Sequence, residues 1–470
     1  MKKLQRFIAL ALTVAILGVT LCSCSNVGKS IMDDTYSQYE NVASSASFIT
    51  QEGKTKGSFS LKGKEEEVKY VTVDMGKEVE YNTVVLGEST KTVTLYEIYG
   101  SNEQDANYKF LYQSDCIEGG HTCYLGDVNY RYLRIFVNGS SGRYNVNSFS
   151  AYNIKKDNAK SLRVNSYIVM EGVSEQTDFS MLEAVTDLIA FGTAKFDSKG
   201  NIIFVDGQGN EVDEKYYSDK LDILKKNVGD KKINLICDIA MPYGDDNLDI
   251  KSMMNDENVD NLVSSVVNFV DKYGFDGYDM DYEFPNSNAE WKAFNNFLRK
   301  LDKAMPDKII SLAIAPWDLR FDDDVIEIID RVEVMLYDMF TTHNYHAIFS
   351  TTVNGVRKAV KGGFKPEQID LGLPFYSRPT DKKAYWGNYN QYNVNDKYPN
   401  LYLFNDFDPE GNPMTAPQYV NSYQMVSDKT AFAIDAGLGG LMIWHYSCDL
   451  PYDNQYSLFR AISETKELKQ

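Results

Sequence analysis

The chain has 470 residues, 43% of them hydrophobic, 13% aromatic and 24% charged, with a formal net charge of −19. That is the composition of a folded protein too long for a single ordinary core, so two domains are expected. The negative charge excludes a nucleic-acid-binding surface, which needs concentrated Lys and Arg, and disfavours an anionic membrane surface as substrate; a neutral substrate such as a glycan fits it better.

Taken in chain order, Lys2, Lys3 and Arg6 precede an apolar run from Phe7 to about Leu21. The run is short for a membrane span and has the layout of a secretory signal. It ends in Leu21-Cys22-Ser23-Cys24, which resembles the lipobox of bacterial lipoproteins. That resemblance implies lipidation of Cys24, a mature chain beginning there and an extracytoplasmic, surface or membrane-anchored location. Ordinary signal cleavage is the alternative. Residues 24–45 are small and polar and read as a tether.

From about 46 to 157 the chain reads as short strands divided by turns, such as Tyr70–Asp74, Val93–Tyr99 and Tyr130–Val137, without helical periodicity. A β-sandwich or jelly roll is expected. The stretches ending at Gly76 and Asn102, with Tyr130–Val137, resemble discoidin-like (coagulation factor type C) domains, many of which are carbohydrate-binding modules. Cys116 and Cys123 flank a short loop and are able to pair in an oxidising compartment, whereas Cys237 and Cys448 read as single buried thiols. Four histidines show no metal-ligand spacing, and the sequence gives no reason to expect a metal or other cofactor.

From 158 to 470 apolar strands alternate with amphipathic helices. Eight strands are expected, at Tyr167–Met170, Leu188–Phe191, Ile233–Asp238, Asp276–Asp281, Ile309–Ile314, Val332–Leu336, Ile369–Leu373 and Gly440–Trp444. Val259, Leu262, Val263, Val266 and Val270 form one helical stripe closed by Gly274; Trp291, Phe294, Leu298, Leu301 and Met305 form another, ending before Pro306. A hairpin from Phe196 to about Val212 separates the second and third strands. The expected fold is multidomain: a β-sandwich followed by an α/β (β/α)8 TIM barrel.

The strand after Gly274 reads Phe275-Asp-Gly-Tyr-Asp-Met-Asp-Tyr-Glu-Phe-Pro285. Alternation puts Asp279, Asp281 and Glu283 on one face, the barrel interior, with Met280 and Tyr282 toward the helices. Three carboxylates so placed share protons and hold their pKa values apart, a useful state for a general acid. The plainer alternative is a surface loop or divalent-metal site. The run Asp276–Glu283 matches the DxxDxDxE signature of glycoside hydrolase family 18, the chitinase family. Met335-Leu-Tyr-Asp338, Gly372–Arg378 and Gly439–Trp444 resemble its sixth-, seventh- and eighth-strand motifs.

By that resemblance Glu283 is the proton donor, Asp281 orients the substrate's acetamido group, Asp279 shares a proton with Asp281, and Tyr337 donates to the acetamido group. The nucleophile is then the substrate's own carbonyl, this family being an exception to the two-carboxylate rule. Asp276 is expected to support the strand, and Trp444 to floor the sugar site. Asp338, Trp317 and Tyr376 are candidate substrate contacts with packing or solvated-loop alternatives; Tyr385, Trp386 and Tyr389 either extend the cleft or pack a loop. The third strand, Leu235-Ile-Cys-Asp-Ile-Ala240, departs from the family's Ser-x-Gly-Gly pattern. The segment before the eighth strand is too short for a full insertion domain, and a shallow, endo-acting cleft is expected. The substrate implied is an N-acetylglucosamine-containing glycan, chitin oligosaccharide or N-glycan. The alternatives are an endo-β-N-acetylglucosaminidase, a non-catalytic glycan-binding lectin and a wall-remodelling glucosaminidase.

Overall fold

The computed structural model describes residues 35–50, 53–56, 61–63, 68–88, 93–117, 120–139, 144–240, 254–255, 257–341, 343–381, 387–407 and 413–470. The expected signal segment and Cys24, as well as Tyr385 and Trp386, lie outside them. No helix among the described residues is long and apolar enough to cross a membrane.

Eight parallel strands close into a barrel: β1 (Arg163–Val169), β2 (Asp187–Phe191), β3 (Asn234–Asp238), β4 (Gly277–Asp281), β5 (Ile309–Ile314), β6 (Arg331–Val334), β7 (Ile369–Pro374) and β8 (Gly440–Trp444). Each pairs with its sequence neighbour, and β8 returns to β1. All eight overlap the expected runs, although β1 begins at Arg163 rather than Tyr167 and β6 ends at Val334 rather than Leu336. Among the described residues the helices are α1 (Glu214–Val228), α2 (Val259–Tyr273), α3 (Asn288–Ala304), α4 (Asp323–Ile328), α5 (Phe349–Lys361), α6 (Tyr423–Asp435) and α7 (Leu458–Leu468). Gly274 ends α2 in the left-handed conformation at φ 61°, where glycine has no Cβ to clash. Ser287 starts α3 by accepting from Glu290 N, while the Glu290 carboxylate accepts from Asn286 N at 2.6 Å. The first crossover departs from the expected βα unit: two 3-10 turns, Met170–Gly172 and Ser180–Glu183, replace a helix between β1 and β2.

The excursion between β2 and β3 is a three-stranded antiparallel sheet, Ala194–Phe196, Ile202–Val205 and Glu211–Val212, leading into α1. A second small sheet, Arg378–Pro379, Leu401–Phe407 and Pro413–Tyr419, stands between β7 and β8. Tyr389, a candidate for the cleft, is instead buried in loop packing, its hydroxyl donating to Tyr456 O at 3.1 Å.

The N-terminal region is one eight-stranded antiparallel sheet. Its spine is the long strand Lys69–Glu88 against His121–Gly139, with register shifts between Asp74 and Val79 and between Tyr81 and Thr83. Such bulges bend a strand and raise its twist. Val71, Val73, Ile98, Leu133, Ile135 and Val137 turn inward to form its core. Cys123 is a buried free thiol, so it forms no disulfide; the Cys116 side chain is outside the described set.

This sheet is fastened to the barrel through α6, every residue of which is buried. The Asp428 carboxylate accepts from Tyr112 Oη at 2.7 Å and from Tyr124 N at 2.7 Å, with His121 Nε2 at 3.0 Å. Asp435 accepts from Lys469 Nζ at 2.7 Å and from Tyr36 Oη at 3.2 Å, and Lys469 also reaches Thr83. Residues 35–45, expected to belong to a tether, are packed here: Tyr36 and Ala43 are buried, and Tyr39 Oη donates to Asp435 O at 2.7 Å. Two tyrosines with somewhere apolar to go and an acceptor for each hydroxyl outweigh the polar composition of that stretch.

Candidate active site

All five residues of β4 are buried. A Cβ at Gly277 would lie 2.5 Å from Ile309 O, so only glycine lets β4 and β5 approach this closely. Just before it, the Asp276 carboxylate accepts from Leu235 N at 2.8 Å and ties β4 to β3. Met280 and Tyr282 belong to the core shared with the helices, Tyr282 meeting Phe294 at 5.4 Å between ring centroids. Asp279 and Asp281 therefore point into the barrel, and Glu283 follows at the mouth.

Asp279 is fully buried and accepts from Tyr167 Oη on β1 and from Ser311 Oγ on β5, both at 2.6 Å. Burial pushes its carboxyl up, and these hydroxyls, with Glu333 and the Arg331 charge, oppose that. Asp238, at the end of β3, accepts from Asp281 N at 3.3 Å. Burial, reinforced by Asp279 and Asp281, holds the Asp238 carboxyl well above the usual carboxylate range. Glu283 is half-buried by surface area yet enclosed by protein; burial first, then Asp281 and Asp338, raise its carboxyl well above the ordinary value. A carboxylic acid kept protonated beside anions can donate to a leaving oxygen.

Tyr337, on the segment after β6, is buried with its hydroxyl 3.9 Å from Met442 Sδ. Burial and the nearby Asp281 and Glu283 push its pKa up, so it remains a donor. Asp338 adopts φ 56°, a left-handed conformation that Asp tolerates. It does not merely solvate a loop: Arg378 Nε and Nη2 hold it at 2.6 and 2.7 Å, and Tyr376 Oη donates to it at 2.9 Å. Despite burial, this pairing keeps Asp338 well below the usual carboxylate range.

Trp444, half-buried at the end of β8, meets Tyr167 at 5.4 Å and Phe191 at 5.0 Å. Trp317 is 41% exposed and stands edge-on to Phe284, the residue after Glu283, at 5.7 Å. The barrel thus brings Asp279, Asp281, Glu283, Tyr337, Asp338, Tyr376 and Trp444 around one mouth, with Trp317 at its rim. Sequence reasoning passed over Tyr167, Ser311, Asp238, Glu333 and the role of Arg378. For Asp238 and Glu333 the signal was there: each is a charged residue alternating with apolar ones inside a strand, at inward parity.

The model for glycosyl hydrolases family 18 matches residues 163–449. Among solved structures, similar folds include a family 18 chitinase, ChiB, from the chitin utilization locus of Flavobacterium johnsoniae, at 19% identity and TM-score 0.52, covering 66% of this chain and 94% of that one. A chitinase from Bacteroides thetaiotaomicron matches at 17% identity and TM-score 0.52, over 65% and 96% of the two chains. The Cycas revoluta family 18 chitinase in complex with (GlcNAc)3 matches at 17% identity and TM-score 0.52, over 64% and 99%. A curated relative, Nod factor hydrolase protein 1 of Medicago truncatula, is 25% identical over 145 residues, which span 25% of this chain and 38% of the relative.

Proposed function

Because the chain belongs to family 18 of the glycosyl hydrolases and is a glycoside hydrolase, we propose that it cleaves β-1,4 linkages at N-acetylglucosamine, chitinase-fashion, with retention of configuration. The observation that carries this reading is the position of Glu283 at the mouth, above the buried Asp279–Asp281 pair and near Tyr337, where burial and the neighbouring Asp281 and Asp338 raise its carboxyl well above the ordinary value. Glu283 donates its proton to the glycosidic oxygen as that bond breaks. The substrate's acetamido carbonyl attacks the anomeric carbon and gives an oxazolinium ion. Asp281 accepts from the acetamido N–H and stabilises the positive charge, Tyr337 donates to the acetamido oxygen, and Asp279 backs Asp281. Glu283, now a carboxylate, takes a proton from water, which opens the ring from the same face. Trp444 supplies the floor for the sugar; Tyr376 and Arg378 fix Asp338 beside it.

The test compares the wild type with Glu283→Gln on chitin oligosaccharides and on a high-mannose glycoprotein. Release of reducing ends from the oligosaccharides, lost in the variant, is expected. Equal activity in both proteins would remove the assignment of the acid, cleavage of the glycoprotein alone would make this an endo-β-N-acetylglucosaminidase, and binding without cleavage would make it a lectin.

The N-terminal sheet is read as a discoidin-like domain, a type many members of which bind carbohydrate, supported by its strand motifs. Cys24 is read as a lipid attachment point, placing the enzyme outside the cytoplasm, on a membrane that it touches only through the anchor. Metabolic labelling with a fatty-acid analogue should mark the wild type and not Cys24→Ala.

A further inference from the structure

Below the catalytic mouth the barrel interior is not apolar. Glu333 on β6 is fully buried and lies near enough to Asp279 for a protonated Glu333 carboxyl to donate to it. Its Oε1 accepts from Asn165 Nδ2 of β1 at 2.6 Å and lies 3.7 Å from Arg331 Nε. No N–H or O–H of another residue reaches its Oε2. A buried carboxyl oxygen without a donor is costly as an anion but not as a hydroxyl, which brings its own hydrogen. Two carboxyl groups in hydrogen-bond contact also need a proton between them. Below Glu333, Arg331 Nη2 donates to Asp187 at 3.1 Å, and Arg163 holds Asp370 at 2.7 Å. Charged side chains therefore continue from Glu283 through Asp281 and Asp279 to Glu333 and the arginine layer beneath.

We propose that Glu333 is a positioning residue for the reaction, holding on Oε2 a proton that moves to Asp279 when Glu283 ionises. The inference rests on the hydrolase reading of Glu283. In the proposed resting state Asp279 accepts from the hydroxyls of Tyr167 and Ser311 and from the Glu333 carboxyl, which holds the proton. When Glu283 gives its proton to the leaving oxygen, three anions would stand together on one strand face. The Glu333 Oε2–H bond then breaks as an Asp279 O–H bond forms, and the new negative charge lies on Glu333, against Arg331. Charge is displaced one strand away from the mouth, and the proton returns when Glu283 is reprotonated. The charged groups acting on Glu333 are Asp279 from β4, Arg331 from its own strand and Asp370 from β7. Burial and Asp279 raise its pKa, and Arg331 opposes them.

Glu333→Gln tests this, because the amide still accepts from Asn165 and donates to Asp279 but cannot transfer a proton. We expect kcat on chitin oligosaccharides to fall roughly tenfold or more with KM within about twofold, and the alkaline limb of kcat to move to higher pH, since Glu283 ionises less readily. A role limited to packing would leave that limb in place, and wild-type kcat and limb in the variant would overturn the proposal. An infrared difference spectrum, wild type minus variant, reads the protonated carboxyl without substrate: its C=O band should be present in the wild type and lost in Glu333→Gln. This arm fails separately from the hydrolase reading, which Glu283→Gln tests. If Glu333→Gln does not fold, the same band must shift in Asp279→Asn, where the acceptor is no longer a carboxylate; an unchanged band there refutes the shared proton.

Discussion

Arg378 grips both carboxylate oxygens of Asp338, Nε to Oδ1 at 2.6 Å and Nη2 to Oδ2 at 2.7 Å, and so fixes a negative charge beside Tyr337. After burial, that charge and the one on Asp281 are what raise the Glu283 carboxyl above its ordinary value. Arg378→Met leaves a nearly buried carboxylate without its cation, a change that costs about 3–5 kcal/mol in comparable pairs. The folded-state pKa of Asp338 is depressed, so the pair's contribution is present above the unfolded value of about 3.9 and is lost as pH falls through the folded one. Thermal melts should show the full deficit at neutral pH and a shrinking one below about pH 4; a pH-independent deficit would mean that packing, not charge, is lost.

Glu283 has the opposite sign. Its folded pKa is raised, so folding is penalised increasingly as pH climbs above the unfolded value of about 4.3. Glu283→Gln removes that penalty. The variant should melt higher than the wild type at neutral and alkaline pH, with the gap closing below about pH 4.3, as calorimetry across the range will determine.

Asp338→Asn removes one anion near Glu283, the proposed acid, and should lower its pKa. The alkaline limb of kcat should then move to lower pH. A limb that stays or moves upward contradicts the electrostatic account of the acid.

Gly277→Ala places a methyl carbon 2.5 Å from Ile309 O, a contact that backbone must yield to relieve. Overpacking of this kind costs about 1–3 kcal/mol, and the displaced strand carries Asp279 and Asp281. A lower Tm together with a lower kcat is expected; an unchanged Tm would show that the two strands have room to part.

Asp428→Ala strips the acceptor from Tyr112, His121 and Tyr124 at the join between sheet and barrel. Unsatisfied buried donors cost about 1–3 kcal/mol each. Calorimetry should show a lower Tm and, if the join is what makes unfolding cooperative, one transition becoming two. Trp317→Ala is the contrasting case: 41% exposed, it should leave Tm unchanged while raising KM for longer oligosaccharides.

The strand positions and the helices α2 and α3 were legible because each buries one face against the barrel, and periodicity records that. Helix α6 left no such record. Its polar residues Gln424, Asp428 and Asp435 are as buried as its apolar ones, because a second domain covers the side that solvent would otherwise take. Tyr36 and Tyr39 were misjudged for the same reason: the surface they dock on is made by residues some four hundred positions away. Within the site, the carboxylates of β4 announce themselves by their spacing. Tyr167, Asp238, Ser311 and Glu333 sit one to a strand, and only barrel closure brings them together. The left-handed turn at Asp338 and its pairing with Arg378 likewise needed coordinates.

Lys469 puts its ammonium between Asp435 and Thr83, inside the join of the two domains. A chain made from its N-terminus completes the sheet early but must wait for residue 469 before that join can be filled. Until then Asp435 is an uncompensated carboxylate on an open face, and α6 has no full cover. The join between the hydrolase barrel and its N-terminal companion is therefore completed only when residue 469 is in place.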